Sequence, residues 1–126
     1  MIDIIEHLKI EEAKKLIERL KILLADKGQI CIITPNYESL WKFMEILLDH
    51  LPLLPKMGMV QHLTKYNPKN LRQIFSRAGY RLKLLRTFNL LSFIFPSKKL
   101  STLICKLEIT KSFNFGNMIV ALVDLS

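Results

Sequence analysis

The chain has 126 residues, 50% hydrophobic and 24% charged, which suits one globular domain and excludes a disordered chain. The net charge is +8, from 19 Lys and Arg against 11 Asp and Glu; the basic residues are scattered in pairs such as Lys14-Lys15 and Lys98-Lys99, which favours a solvated surface over a nucleic-acid footprint. No apolar run reaches the ~18 residues of a transmembrane helix, Asp3 stands where a signal peptide carries a base, and Cys31 and Cys105 give neither a disulfide framework nor zinc spacing, so a cytoplasmic protein with buried thiols is expected.

Taken in chain order, Ile2-Asp3-Ile4-Ile5 is too short for a complete strand. A helix is predicted from Ile10 to Ala25, because Ala13, Leu16, Ile17, Leu20 and Leu24 recur at helical spacing. Glu11 and Glu12 suit its first turn, and Gly28 closes the segment. Gln29 to Thr34 holds four consecutive apolar residues, the pattern of a strand buried on both faces. A second helix is predicted from Glu38 to Asp49, burying Leu40, Phe43, Met44 and Leu47, followed by a long loop from Leu51 to Lys65.

Asn67-Pro68 combines a capping residue with the imino acid that suits a first helical position. The helix it opens runs to Ala78, buries Leu71, Ile74 and Phe75, and stops at Gly79. Tyr80 to Arg86 alternates polar and apolar residues, as a half-exposed edge strand does. A short helix from Ser97 to Leu107 and a turn at Asn114-Phe115-Gly116 come next. Met118 to Val123 is apolar throughout and belongs at the centre of a sheet. The order of elements is that of an α/β fold.

Four segments share a further pattern: Asp3-Ile4-Ile5-Glu6-His7-Leu8, Ile32-Ile33-Thr34-Pro35-Asn36-Tyr37, Gln61-His62-Leu63-Thr64-Lys65-Tyr66-Asn67-Pro68 and Ala78-Gly79-Tyr80. In order and spacing they resemble the class I S-adenosylmethionine-dependent methyltransferases, in particular the small-molecule branch that includes the ubiquinone-biosynthesis enzymes. The resemblance covers only the C-terminal half of that family. It implies part of a Rossmann-like sheet of about four strands, the last antiparallel, with Ile2–Ile5 as the remnant of the family's fourth strand. The cofactor half has no counterpart, since Gly28, Gly58, Gly79 and Gly116 form no Gly-x-Gly-x-Gly turn. The 126 residues therefore read as one truncated domain, the substrate-side wall of the crevice in which an open α/β sheet binds its ligand.

Two consequences follow for partners and cofactors. S-adenosylmethionine belongs to the complete family enzyme, and no cofactor is expected on this portion alone. The remnant strand would leave an edge unpaired, at ~1–3 kcal/mol for each buried unpaired backbone group. Pairing with a second copy, a swapped segment or a separate N-terminal half is therefore expected.

The resemblance also points to residues. Some members of the family, small-RNA methyltransferases among them, hold a divalent metal with an acid-x-x-Glu-His segment and a later His; the matching positions are Asp3, Glu6, His7 and His62. Asp3 is one carbon shorter than the Glu found in those members. Carboxylates suit hard cations and imidazole suits borderline ones. His7 or His62 could instead act as general base, because imidazole titrates near neutrality. Glu6, Asn36 and Tyr37 would face the substrate; Pro35-Asn36 equally forms a turn, and Glu6 and His7 equally cap the next helix. His50 reads as a helix-end residue, and Trp41, Phe43 and Met44 as core. The apolar stretches Leu51–Val60 and Asn89–Phe95 suit a pocket mouth for a lipid-like acceptor, a peripheral membrane contact or a packed lid. The preferred reading is the C-terminal portion of a methyltransferase for a small-molecule or lipid-like acceptor. The alternative is a non-catalytic basic module for nucleic acid or anionic membrane.

Overall fold

The computed structural model describes residues 2–39, 62–92, 95–111 and 115–125. Beyond its first two residues, Glu38 and Ser39, the predicted helix to Asp49 lies outside the described residues, as do most of the predicted loop and Trp41, Phe43, Met44, His50 and Asn114.

A single 3-10 turn, Ile5–His7, precedes helix α1, Ile10–Leu23. Glu12 reaches back to accept from the Lys9 amide at 3.0 Å, which satisfies a donor that the first helical turn leaves open. The helix stops two residues short of the predicted Ala25, and Lys27 takes the left-handed turn at φ 65°. Ala13 and Ile17 are buried, whereas Leu16, Leu20 and Leu24 are half-buried.

Strand β1, Gln29–Pro35, follows. Helix α2, Pro68–Arg77, begins on the predicted cap: the Asn67 side chain accepts from the Asn70 amide and Asn70 returns the bond, both at 2.8 Å. Gly79 adopts φ +75°, a conformation that favours glycine, and turns the chain into strand β2, Tyr80–Phe88. Helix α3 spans Lys98–Lys111 and strand β3 spans Met118–Leu125.

The sheet has the order β1-β3-β2, with β3 antiparallel to both neighbours. The central β3, the edge position of β2 and the antiparallel last strand are as predicted, whereas β1, expected inside the sheet, stands at its other edge. The expected fourth strand is reduced to one parallel bridge, Ile2 to Ile33, with the Asp3 amide donating to the Ile33 carbonyl at 3.0 Å. Asp3 sits at φ 46°, a left-handed turn that takes the chain out of strand geometry at once.

A second correction concerns burial. β1 buries Ile30, Ile32 and Thr34 but leaves Cys31 exposed and Ile33 half-buried, so one face of it meets the core and the other does not. An apolar run marks a doubly covered strand only when both faces have a layer upon them. The expectation of buried thiols fails as well: Cys31 is exposed on the uncovered face of β1, Cys105 is half-buried on the helix Lys98–Lys111, and no disulfide links them. The core gathers on one side of the sheet, where Ile30, Ile32, Ile119, Ala121 and Val123 meet Ile5, Ile17, Tyr66, Leu71 and Phe75. The Tyr80 hydroxyl donates to the Ile17 carbonyl at 2.9 Å and ties α1 to the sheet through this core.

α3 extends four residues beyond the predicted Leu107, and the added turn carries its buried residue, Glu108. That carboxylate accepts from the backbone amides of Asn89, Leu90, Leu91 and Ser92 at 2.6–3.3 Å. Charge-assisted bonds of this kind offset the desolvation of a buried carboxylate, and they dock α3 against the end of β2.

Candidate functional site

One end of the sheet gathers the polar groups. The C-terminal ends of β1 and β2 and the N-terminal end of antiparallel β3 all lie there, because β3 runs opposite to its neighbours. A cavity of about 260 Å³ at this end is lined by Asp3, Glu6, His7, Pro35, His62, Asn89, Asn117 and Met118.

Backbone bonds bring His62 to His7. The Thr64 amide donates to the Glu6 carbonyl at 3.0 Å, and the Thr64 hydroxyl donates to the Leu8 carbonyl at 2.6 Å. The Tyr37 amide donates to the Tyr66 carbonyl at 2.9 Å, which holds the same segment against the end of β1. The two imidazole centroids are then 5.1 Å apart with planes tilted by 48°.

Glu6 is fully buried. Its Oε2 accepts from the Thr34 hydroxyl at 3.1 Å, whereas its Oε1 has no hydrogen-bond partner among the described residues and lies 3.9 Å from His7 Nε2. An unpartnered buried carboxylate oxygen is costly, and beside two imidazoles it is also a ligand atom. Ligand atoms of Glu6, His7 and His62 all lie within 4.8 Å of one another. Bonds of ~2.1 Å to a small divalent cation put any two ligands at most ~4.2 Å apart, so a modest side-chain adjustment would close the set. The charge on Glu6 reaches Tyr66 as well: burial foremost, and then this carboxylate, push the Tyr66 phenol up to about 12.

His62 is oriented by Tyr37, whose hydroxyl is hydrogen-bonded to His62 Nδ1 while the two rings meet edge to face. A bond at Nδ1 fixes the ring and turns Nε2 toward other work. The Lys65 ammonium lies 5.6 Å from the centre of the Tyr37 ring.

The structure thus brings together three of the four sequence-predicted metal residues. Asp3 lines the same cavity but stands outside the ligand cluster. Asn36, read as facing the substrate, is buried with 1% exposure. Its Nδ2 donates to the Gly116 carbonyl at 2.8 Å and its Oδ1 accepts from the Glu38 amide at 3.1 Å, so the amide braces the loop after β1 against the entry to β3. Tyr37, also read as facing the substrate, is hydrogen-bonded to His62 by its hydroxyl. Sequence reasoning missed Thr34, Asn89 and Asn117. Asn117 donates to the Asn89 carbonyl at 2.8 Å, and its own Oδ1 is buried without a partner among the described residues. A signal did exist: all three sit at strand ends, on the side of the sheet where open α/β folds bind ligands.

No family model matches the sequence, and no curated protein matches it. Solved structures do. The small RNA methyltransferase HEN1 is similar with a TM-score of 0.58 and 15% identity, over 100% of this chain and 13% of its own. A SAM-dependent methyltransferase from Archaeoglobus fulgidus is similar with a TM-score of 0.58 and 17% identity, over 98% of this chain and 56% of its own. The chain therefore spans only part of the structures it resembles, and in its α/β order, its strand order and its antiparallel last strand it carries part of a class I SAM-dependent methyltransferase fold.

Proposed function

We propose that this chain is the substrate-side portion of a SAM-dependent methyltransferase, in which Glu6, His7 and His62 hold a divalent cation beside the methyl acceptor. The observation that carries the reading is the buried Oε1 of Glu6, without a partner among the described residues and set beside two imidazoles. A module that worked by surface charge alone would draw on the +8 balance and have no use for such a group, and this favours the enzyme over the basic binding module.

Bound there, a cation would supply positive charge that favours the deprotonated form of an acceptor hydroxyl. The rest falls to the chain's own residues. Thr34 holds Glu6 by one oxygen and leaves the other to the cavity. Tyr37 fixes the plane of His62. The cavity walls would seat a small-molecule or lipid-like acceptor in line with the methyl carbon, and such positioning supplies much of the rate in a displacement of this kind. S-adenosylmethionine itself would be held by a glycine-rich half outside these 126 residues.

Calorimetric titration of the chain with magnesium, manganese and zinc tests the metal assignment. One ion per chain is expected. Glu6→Gln should abolish the heat, and Tyr37→Phe should weaken binding by about 10–100-fold through loss of the bond that orients His62. Silence with all three ions would overturn the assignment and leave His62 Nε2 as the acceptor's base.

A further inference from the structure

We infer that α3 is a docking helix for an anionic lipid bilayer. The inference is independent of the methyltransferase reading. α3 buries little of its own apolar surface: Leu100, Leu103 and Leu107 are 42%, 55% and 50% exposed. At ~100° per residue these three fall within an arc of about 60° and form one stripe along the helix. Lys99 and Lys106 border the stripe on one side and Lys111 on the other, all exposed.

The charge on this surface is of one sign. Glu108 is the single acid of α3, and it is buried and accepts four backbone amides. The exposed face of the helix therefore presents leucines and lysines with no carboxylate among them. A bilayer with anionic headgroups matches both: the leucines enter the headgroup–acyl boundary, and the lysine stems lie along the apolar surface with their ammonium groups among the phosphates. A second copy of the chain matches neither as well. A two-fold contact through the stripe would set Lys99 and Lys106 of each copy near those of the other without an acid between them. A nucleic acid would answer the lysines and leave the leucines in water. No helix among the described residues is long and apolar enough to cross a membrane, and α3, at 14 residues, would lie in the plane of the interface.

Flotation with vesicles tests the proposal. The chain should bind vesicles of phosphatidylcholine and phosphatidylserine at least about tenfold more tightly than vesicles of phosphatidylcholine alone, and ~1 M salt should remove most of the difference. Paired reversal, Lys99→Glu with Lys106→Glu, should weaken binding roughly 30-fold. The pair Leu103→Gln with Leu107→Gln should weaken it about tenfold. All four positions are exposed, so an unchanged far-ultraviolet circular dichroism spectrum is expected for both variants. Equal binding to both kinds of vesicle would overturn the proposal, as would undiminished binding by the leucine pair. So would light scattering that showed a wild-type dimer dissolved by that pair.

Discussion

Glu6, Tyr66 and Tyr37 show how a few side chains set the character of this site. Glu6 is buried with one oxygen bonded and the other without a partner among the described residues, and its charge disfavours a second anion nearby. Tyr66 feels both that charge and its own burial, and its phenol rises from 10.0 to about 12. The sign of the linkage follows. A phenol is neutral when protonated, so the fold binds this proton more tightly than the unfolded chain does. The stabilisation is complete below pH 10 and is lost as pH rises through 12, on the order of 2 kcal/mol in all. Urea titrations between pH 9 and pH 12 should show this loss in the wild type, and Tyr66→Phe should flatten it. An identical slope in the two proteins would remove Tyr66 as its source. Asp124 gives the opposite case at the far end of the sheet. Hydrogen bonds from Arg81 and Lys83 hold its carboxyl down at about 2, so whatever it contributes is lost only as pH falls from the ordinary carboxylate range through that value.

Among the elements, those announced by local chemistry formed as read. The Asn67-Pro68 cap, the stop at Gly79 and the alternation that begins β2 all depend on residues within a few positions of one another. Ends and corners were less legible. Gly116 reads in sequence as a turn glycine, but its importance lies in packing: a Cβ there would stand 2.3 Å from the Phe88 nitrogen and 2.5 Å from the Phe88 oxygen. β2 and the entry to β3 can approach closely only because that atom is missing. Gly116→Ala should destabilise the fold by about 1–3 kcal/mol, as overpacking against backbone does, and should loosen the Asn36 brace that ends on the Gly116 carbonyl. A urea midpoint within error of the wild type would refute this. The extension of α3 to Lys111 was hidden for a related reason, since its decisive residue, Glu108, bonds to a segment 16–19 positions away in sequence.

For the whole molecule, the outer edge of β1 is the open question of assembly. Among the described residues only Ile2 bridges to it, and Ile2 and Ile4 are themselves exposed. We expect that edge to pair, with a second copy or with a separate cofactor-binding half, because an uncovered strand edge beside exposed isoleucines is a template for association. Light scattering across a concentration series should report a mass above that of one chain, and the α3 leucine variants should leave it unchanged. A monomer at every concentration would set the expectation aside.

The sequence by itself determined the class of fold, the helices and strands with strong local signals, and three of the residues that meet in the cavity. Glu6, His7 and His62 were nominated by the resemblance of their segments to methyltransferase motifs, which gave Thr34 no role. What only the tertiary structure decided was which of these groups meet and which oxygen is left over. The Thr64 bonds that carry His62 to His7, the hydroxyl that occupies one Glu6 oxygen and the strand order that gathers the site at one end of the sheet all join distant parts of the chain. Local propensity has no means of recording such contacts, because their geometry is fixed only when the core closes and every buried polar group must find a partner or remain without one.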